Sequence, residues 1–356
     1  MSAAGDVRPI VPKLASRTRR GGGRRVPATL NLALQGGGAH GAFTWGVLDH
    51  LLEHGIRRIE GLSGSSAGAL NAVALASGWL EGGPERARET LAQLWRGIAD
   101  LARLSPLRAG GLSQMAADFA AQLLSPYQLN PLGLNPLRAV LEQVVDFERL
   151  RAASELELFI ATTNLLTGRG RIFRRSELSS EVVLASACLP QLNRALEIDG
   201  AAYWDGGFVS NPPLLPLVEH CRCRDVLLIR INLLESATLP RSAREIRNRL
   251  SEIVFGRPLL IELEQLADAR RRARAPLGWL RRRTRRLARH RLHVIDGAPA
   301  LAQLDISSKV DPDWSLLVRL HELGRGAAAT WLAAPAAGRL PAVDGSVGLP
   351  SVPQAG

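Results

Sequence analysis

At 356 residues and 46% hydrophobic content, the chain is long enough for one large domain with appendages or two smaller ones, with a sizeable core. Three cysteines exclude a disulfide framework, and no run of eighteen apolar residues is present to span a membrane. The formal charge of +12 is unevenly placed: residues 241–291 hold 16 Arg against five acids and Met1–Asn31 hold seven basic residues against one, so the body between is mildly acidic.

In chain order, residues 1–28 are polar and basic with no apolar h-region, so a disordered lead-in is expected rather than a secretory signal. Thr29–Leu34 reads as a strand, followed by the loop Gln35-Gly36-Gly37-Gly38-Ala39-His40-Gly41 and a helix from Ala42. Ile59–Leu62 is a second short apolar segment, and Gly64-Ser65-Ser66-Ala67-Gly68 then opens an apolar helix over Ala67–Leu80. Helical spacing continues through Glu85–Leu104, Leu112–Leu124 and Asn135–Val145, punctuated by prolines. The insert from about Gly83 to Leu150 is where acyl-chain or lid elements would sit, or else it is ordinary core.

Glu157–Thr162, Asp225–Ile231 and Arg291–Asp296 read as further strands, Asp313–Ala333 as a closing amphipathic helix, and 334–356 as a disordered Pro/Gly/Ala tail. Strands interleaved with helices predict an α/β fold. Its mainly parallel central sheet is covered by helices on both faces, with a C-terminal Arg-rich helical extension at about 241–290.

Gly64-Ser65-Ser66-Ala67-Gly68 fits G-x-S-x-G, in the strand–turn–helix setting of a nucleophile elbow. Such a turn holds its central residue, Ser66, in a strained conformation that flanking glycines make room for. The plain alternative is a small-residue turn capping a helix. The glycine loop at 36–41 presents backbone N–H groups between a strand and a helix, a setting suited to an anion. Asp205-Gly206-Gly207 adds a carboxylate beside two glycines. Gly36, Gly38 and Gly41 also fit G-x-G-x-x-G, a dinucleotide fingerprint that would need Asp49, Glu53 or Glu60 as its acid. The serine elbow and the Asp-Gly-Gly box have no role in that reading. Cys221 and Cys223 beside His220 lack a second ligand pair, so no metal is expected.

Taken together with Ala185-Ser186-Ala187-Cys188-Leu189-Pro190 and Val209-Ser210-Asn211-Pro212-Pro213, these blocks resemble the patatin-like phospholipases over roughly Leu32 to Val218. His40 departs from the Arg or Lys common in the family's loop. The resemblance implies a three-layer α/β/α catalytic domain over 29–220, completed by 221–333. It implies a Ser66–Asp205 dyad with Ser66 as nucleophile and Asp205 as proton acceptor. It also implies an oxyanion hole over Gly36, Gly37, Gly38, Ala39 and Gly41, with Gly64, Gly68, Gly206 and Gly207 shaping the motifs. The activity implied is lipid acyl hydrolysis of phospholipase A or lysophospholipase type, without a cofactor. Two alternatives are an esterase on other acyl compounds and a non-catalytic membrane-binding protein. A Ser-His-Asp triad would place its base after the acid, at His220, His290, His293 or His321, none of which sits in a catalytic-loop context, while His40 lies in the glycine loop and His50 and His54 on the first helix.

Arg270–Arg289, interleaved with Leu277, Trp279, Leu280 and Leu287, suits an anionic membrane surface, a solvated helical face, or nucleic acid. No nucleic-acid fold signature accompanies it. The expected location is cytoplasmic, with peripheral contact at the inner face of the membrane.

Overall fold

The computed structural model describes residues 28–104, 126–130, 133, 135–190, 192–236, 239–275, 282–304 and 306–334. The expectations for the N-terminal segment, the helix over 112–124, residues 277–280 and the tail beyond 334 lie outside them.

β1 (Leu30–Leu34) is buried at every position, as a central strand covered on both faces must be. It pairs in parallel with β2 (Ile59–Gly64) on one side. The next strand outward from β2 is β3 (Glu157–Asn164), also parallel. Downstream come β4 (Gly170–Arg174), β5 (Leu196–Ile198), β6 (Ala201–Asp205), β7 (Asp225–Arg230) and β8 (Arg291–Asp296). β7 pairs with the other side of β1, and β8 with β7, both in parallel. The order is β5-β6-β3-β2-β1-β7-β8, with β4 also on β3. β4, β5 and β6 run antiparallel to their neighbours, so the parallel core expected from the sequence carries an antiparallel margin and the whole sheet is mixed.

The helices are α1 (Gly41–His54), α2 (Ala67–Leu104), α3 (Pro126–Leu129), α4 (Leu137–Val144), α5 (Phe147–Ala152), α6 (Ser180–Ser186), α7 (Leu215–His220), α8 (Ala243–Arg274), α9 (Arg282–Ala288), α10 (Ala298–Leu301) and α11 (Trp314–Ala333). Inside α2 the helix breaks at Gly82 and Gly83, just before Pro84, where the sequence separates two helices. Strand side chains alternate between two cores, as period-two geometry requires. Leu30, Leu32, Leu34, Leu227 and Ile229 face α1, α2 and α11. Ala33, Val226 and Leu228 face α7, α8 and α9. The first layer is tied at its rim by Asp49, which accepts from Arg88 Nε at 2.7 Å and pairs with Arg325 of α11. Those partners hold the Asp49 carboxyl well below the usual carboxylate range against the opposing effect of burial.

Candidate active site

The carboxyl ends of β1, β2 and β7 meet at the point where the chain leaves β1 to either side, the position at which open α/β sheets bind ligands. β2 ends in Gly64, and Ser66 follows with φ of 55°, one of two non-glycine residues with positive φ among those described. A serine held in left-handed backbone costs on the order of 1–3 kcal/mol and persists where surrounding contacts dictate it. Here the contacts are specific. Ser66 N–H donates to the Ser186 carbonyl (3.1 Å) and to Ser186 Oγ (3.0 Å), and Ser65 Oγ donates to the Ser210 carbonyl. Gly68 lies so close to β1 that a Cβ there would fall 2.0 Å from the Leu34 carbonyl oxygen, and a Cβ on Gly64 would strike the Gly68 carbonyl. Ser186→Ala removes one of the two acceptors at the elbow. It is expected to lower kcat by roughly fivefold, about 1 kcal/mol, with KM unchanged in steady-state kinetics.

The glycine loop reaches the same place from β1. Gly36 packs against Ser65 and Ser66; a Cβ on it would sit 2.8 Å from the Ser66 Cβ. Its N–H donates to Asn211 Oδ1 (2.7 Å), and its carbonyl accepts from Asn232 Nδ2 (2.6 Å). Gly41 N–H is taken up by the carbonyls of Gly38 and Ala39. The N–H groups of Gly37, Gly38, Ala39 and Ala67 make no hydrogen bond among the described residues. The five loop residues expected to form an oxyanion hole therefore divide. Gly36 and Gly41 shape the loop, while Gly37, Gly38 and Ala39 retain N–H donors. The short turn Ile306–Lys309 backs this loop. A Cβ on Gly38, whose φ is 60°, would fall 2.1 Å from the Lys309 carbonyl oxygen.

Asp205 ends β6, opposite Thr162 on β3, and is fully buried. Its Oδ1 accepts from Gly207 N–H at 2.7 Å. Its Oδ2 completes no hydrogen bond, although the Ser66 hydroxyl lies near enough to favour the ionised form. Apo sites often show such bonds long or misaligned. Burial dominates and pushes the Asp205 carboxyl up to about 7, against the stabilising Gly207 N–H and Ser66 hydroxyl. Gly206 packs on the Ala161 carbonyl and Gly207 on the Phe255 ring, so both glycines admit close neighbours. Cys188, whose carbonyl accepts the Asp205 N–H, has its thiol pushed up to about 12 by burial and by Asp205, and stays protonated.

No histidine hydrogen-bonds Ser66 or Asp205. His40 bonds Ser308 (2.7 Å) and is held down to about 4 by burial and by Lys309. His50 and His54 stack on each other. His220 accepts from Arg174, His290 meets the Arg286 carbonyl, His293 meets Asp225, and His321 lies on Trp45. The dinucleotide reading also loses its acids. Glu60, at the amino end of β2, accepts the N–H groups of Arg222 and Cys223, and Asp49 and Glu53 pair with Arg325. Cys221, Cys223 and His220 do not converge. Among the described residues the grouping able to share an ion is the half-buried His50 with the exposed Glu53 and His54.

Three positioning groups went unread in the sequence. Asn211 links the loop to α8 through Gly36 N–H and the Phe255 carbonyl (3.1 Å). Gln35 accepts from the N–H groups of Ile231 and Asn232. Glu262 of α8 accepts from Leu214 and Leu215 N–H (2.7 and 2.8 Å), and burial raises its carboxyl pKa. These bonds lay α8 over the segment that follows Asp205. The near half of α8 carries an apolar stripe. Ile246, Leu250, Ile253, Val254 and Ile261 are each 41–57% exposed and, at ~100° per residue, share one side of the helix. A cavity of about 350 Å³ borders the loop through His40, Asn232 and Lys309, but neither Ser66 nor Asp205 lines it.

A mixed sheet between two helical layers, with a glycine loop and a positive-φ serine at adjacent strand ends, defines a three-layer α/β protein. The model of the patatin-like phospholipases matches residues 32–218, and the chain belongs to that family, a class of lipid hydrolases. No curated protein matches the sequence. Among solved structures, the chain is similar to VipD from Legionella pneumophila at 16% identity and TM-score 0.32, covering 84% of this chain and 67% of that one. It is also similar to the ExoU-SpcU heterodimer from the type III secretion system of Pseudomonas aeruginosa at 15% identity and TM-score 0.29, covering 94% of this chain and 61% of that one. This chain thus spans under two thirds of the latter's length, and likenesses at these scores carry no functional weight.

Proposed function

We propose that the protein is a lipid acyl hydrolase of phospholipase A or lysophospholipase type, working through a Ser66–Asp205 dyad. The observation that carries this is the pairing of an elbow serine at φ 55° with a buried carboxyl near neutral pKa. Asp205, ionised, accepts the Ser66 hydroxyl proton as Oγ attacks the ester carbonyl. The developing oxyanion meets the N–H groups of Gly37 and Gly38, each worth about 2.7–4 kcal/mol of barrier when removed. Asp205 then returns the proton to the leaving alcohol. Water, deprotonated by the same carboxylate, releases the fatty acid from the acyl-enzyme.

The lipid character of the substrate rests on the family and on the exposed apolar stripe of α8, a surface suited to an acyl or membrane boundary. No helix among the described residues is long and apolar enough to cross a membrane. Fatty-acid release from phospholipid and lysophospholipid micelles tests the reading. The wild type should release acyl chains and Ser66→Ala should not. Hydrolysis of small soluble esters alone would instead favour a non-lipid esterase, and no hydrolysis by folded wild type would overturn the enzyme reading.

A further inference from the structure

At the opposite, amino-terminal ends of β7 and β8 lies a second cavity of about 350 Å³. Arg222 and Arg224, just before β7, and Arg282, Arg285, Arg286 and Arg289, on or after α9, line it, and no acid does. Guanidinium groups gathered without a counter-charge repel one another, so such a cluster persists at a cost unless an anion joins it. Only Arg286 has bonding partners, and they are carbonyls: Val218 (3.0 Å) and Cys221 (3.1 Å) at the end of α7. The other five side chains make no hydrogen bond or ion pair among the described residues. Arg283 on the same helix, by contrast, pairs with Glu219 at 2.7 Å and does not line the cavity.

A separate observation concerns His290. It lines the same cavity, is 7% exposed, and gives Nδ1 to the Arg286 carbonyl (2.8 Å), while its buried Nε2 has no partner. Arg270 fixes the His290 carbonyl at 2.8 Å, so the wall is held by backbone contacts before any ligand arrives. A buried, unpartnered ring nitrogen amid unpaired guanidinium groups is a polar surface awaiting a ligand atom. Planar guanidinium forks suit phosphate oxygens, two at a time. The cavity is of small-molecule size, with room for more than one phosphate group.

We infer that this cavity binds a polyphosphorylated ligand, either a soluble molecule or a lipid headgroup carrying two or more phosphate groups, at a site separate from Ser66. The inference stands apart from the hydrolase reading, since none of its residues touches the elbow. The test is calorimetric titration of the full chain with sodium tripolyphosphate and with orthophosphate, alongside capture by phosphatidylcholine vesicles with and without diacylglycerol pyrophosphate. Tripolyphosphate should bind saturably, more tightly than orthophosphate, and more weakly as salt rises. Arg222→Ala with Arg282→Ala and Arg289→Ala should weaken it by roughly tenfold per arginine removed. Arg103→Ala with Arg247→Ala and Arg319→Ala, the same loss of charge elsewhere, should not.

Vesicle capture that tripolyphosphate competes away assigns a lipid source, and tripolyphosphate binding without capture assigns a soluble one. Should the triple variant fail to fold, a ligand-dependent shift of the His290 Nε2 resonance in wild type supports the site. No binding to either probe, an equal loss in the control variant, or a His290 signal indifferent to saturating tripolyphosphate would overturn it.

Discussion

Asp205→Asn is expected to lower kcat/KM for ester hydrolysis by about a thousandfold or more and, at the same time, to stabilise the fold above neutral pH. The two effects share one cause. Burial pushes the Asp205 carboxyl up to about 7 in the folded protein, against 3.8 for the free side chain. Between those values the folded protein holds a proton that the unfolded chain releases. The Asp205 contribution to stability is therefore greatest below about pH 4, falls as pH rises towards 7, and levels off above it. The loss is a few kcal/mol at most, at 1.36 kcal/mol per pH unit. Asparagine keeps an acceptor for Gly207 N–H and never ionises, so the variant escapes the loss. Thermal unfolding at pH 5 and pH 8 should show a clearly larger advantage for the variant at pH 8 than at pH 5. In the wild type, kcat/KM should rise with pH up to about 7 and then flatten, because the carboxylate is the working base. Retained activity in Asp205→Asn, or an advantage equal at both pH values, would contradict this role.

Gly38→Ala is expected to cost ~10²- to 10³-fold in kcat, the loss that follows from displacing an oxyanion donor. The added methyl would fall 2.1 Å from the Lys309 carbonyl oxygen, so the loop or the Ile306–Lys309 turn must move. Lys309 Nζ reaches Asn232 Oδ1 at 2.8 Å, and Asn232 in turn holds the Gly36 carbonyl, so the displacement reaches the loop from both ends. Gly168 supplies the control. Its φ of 65° matches, but nothing lies within 4 Å of an added Cβ. Gly168→Ala should lose only about 1 kcal/mol of stability from the positive φ and keep full activity. Equal kinetic losses in the two variants would show that the clash with Lys309 does not matter.

Much of the frame was readable because its signals are local. The apolar runs at Leu30–Leu34 and Asp225–Arg230 sit in the buried parallel core, where patterning is least ambiguous. Asp313 caps α11 where the sequence begins its amphipathic helix. The antiparallel margin was not readable. β6 carries Ala201, Ala202 and Trp204 only partly buried, and β5 is three residues long, so neither presents a strand pattern. The same gap hid how Asp205 reaches Ser66, since that proximity depends on β6 pairing with β3. The support given by Asn211, Gln35 and Glu262 depends on partners 44 to 197 residues away, which no spacing rule encodes. In the basic region, charge density was plain from composition. Its division between an exposed apolar stripe on α8 and an arginine-lined cavity at α9 became visible only in three dimensions.

The most direct measurement is covalent labelling of the folded protein by a fluorophosphonate, with the adduct located by mass spectrometry across a pH series. One adduct is expected, on Ser66. It should form faster as pH rises through about 7, be absent in Ser66→Ala, and be strongly slowed in Asp205→Asn. An adduct elsewhere, none at all, or labelling of Ser66 indifferent to both pH and Asp205→Asn would contradict the Ser66–Asp205 hydrolase.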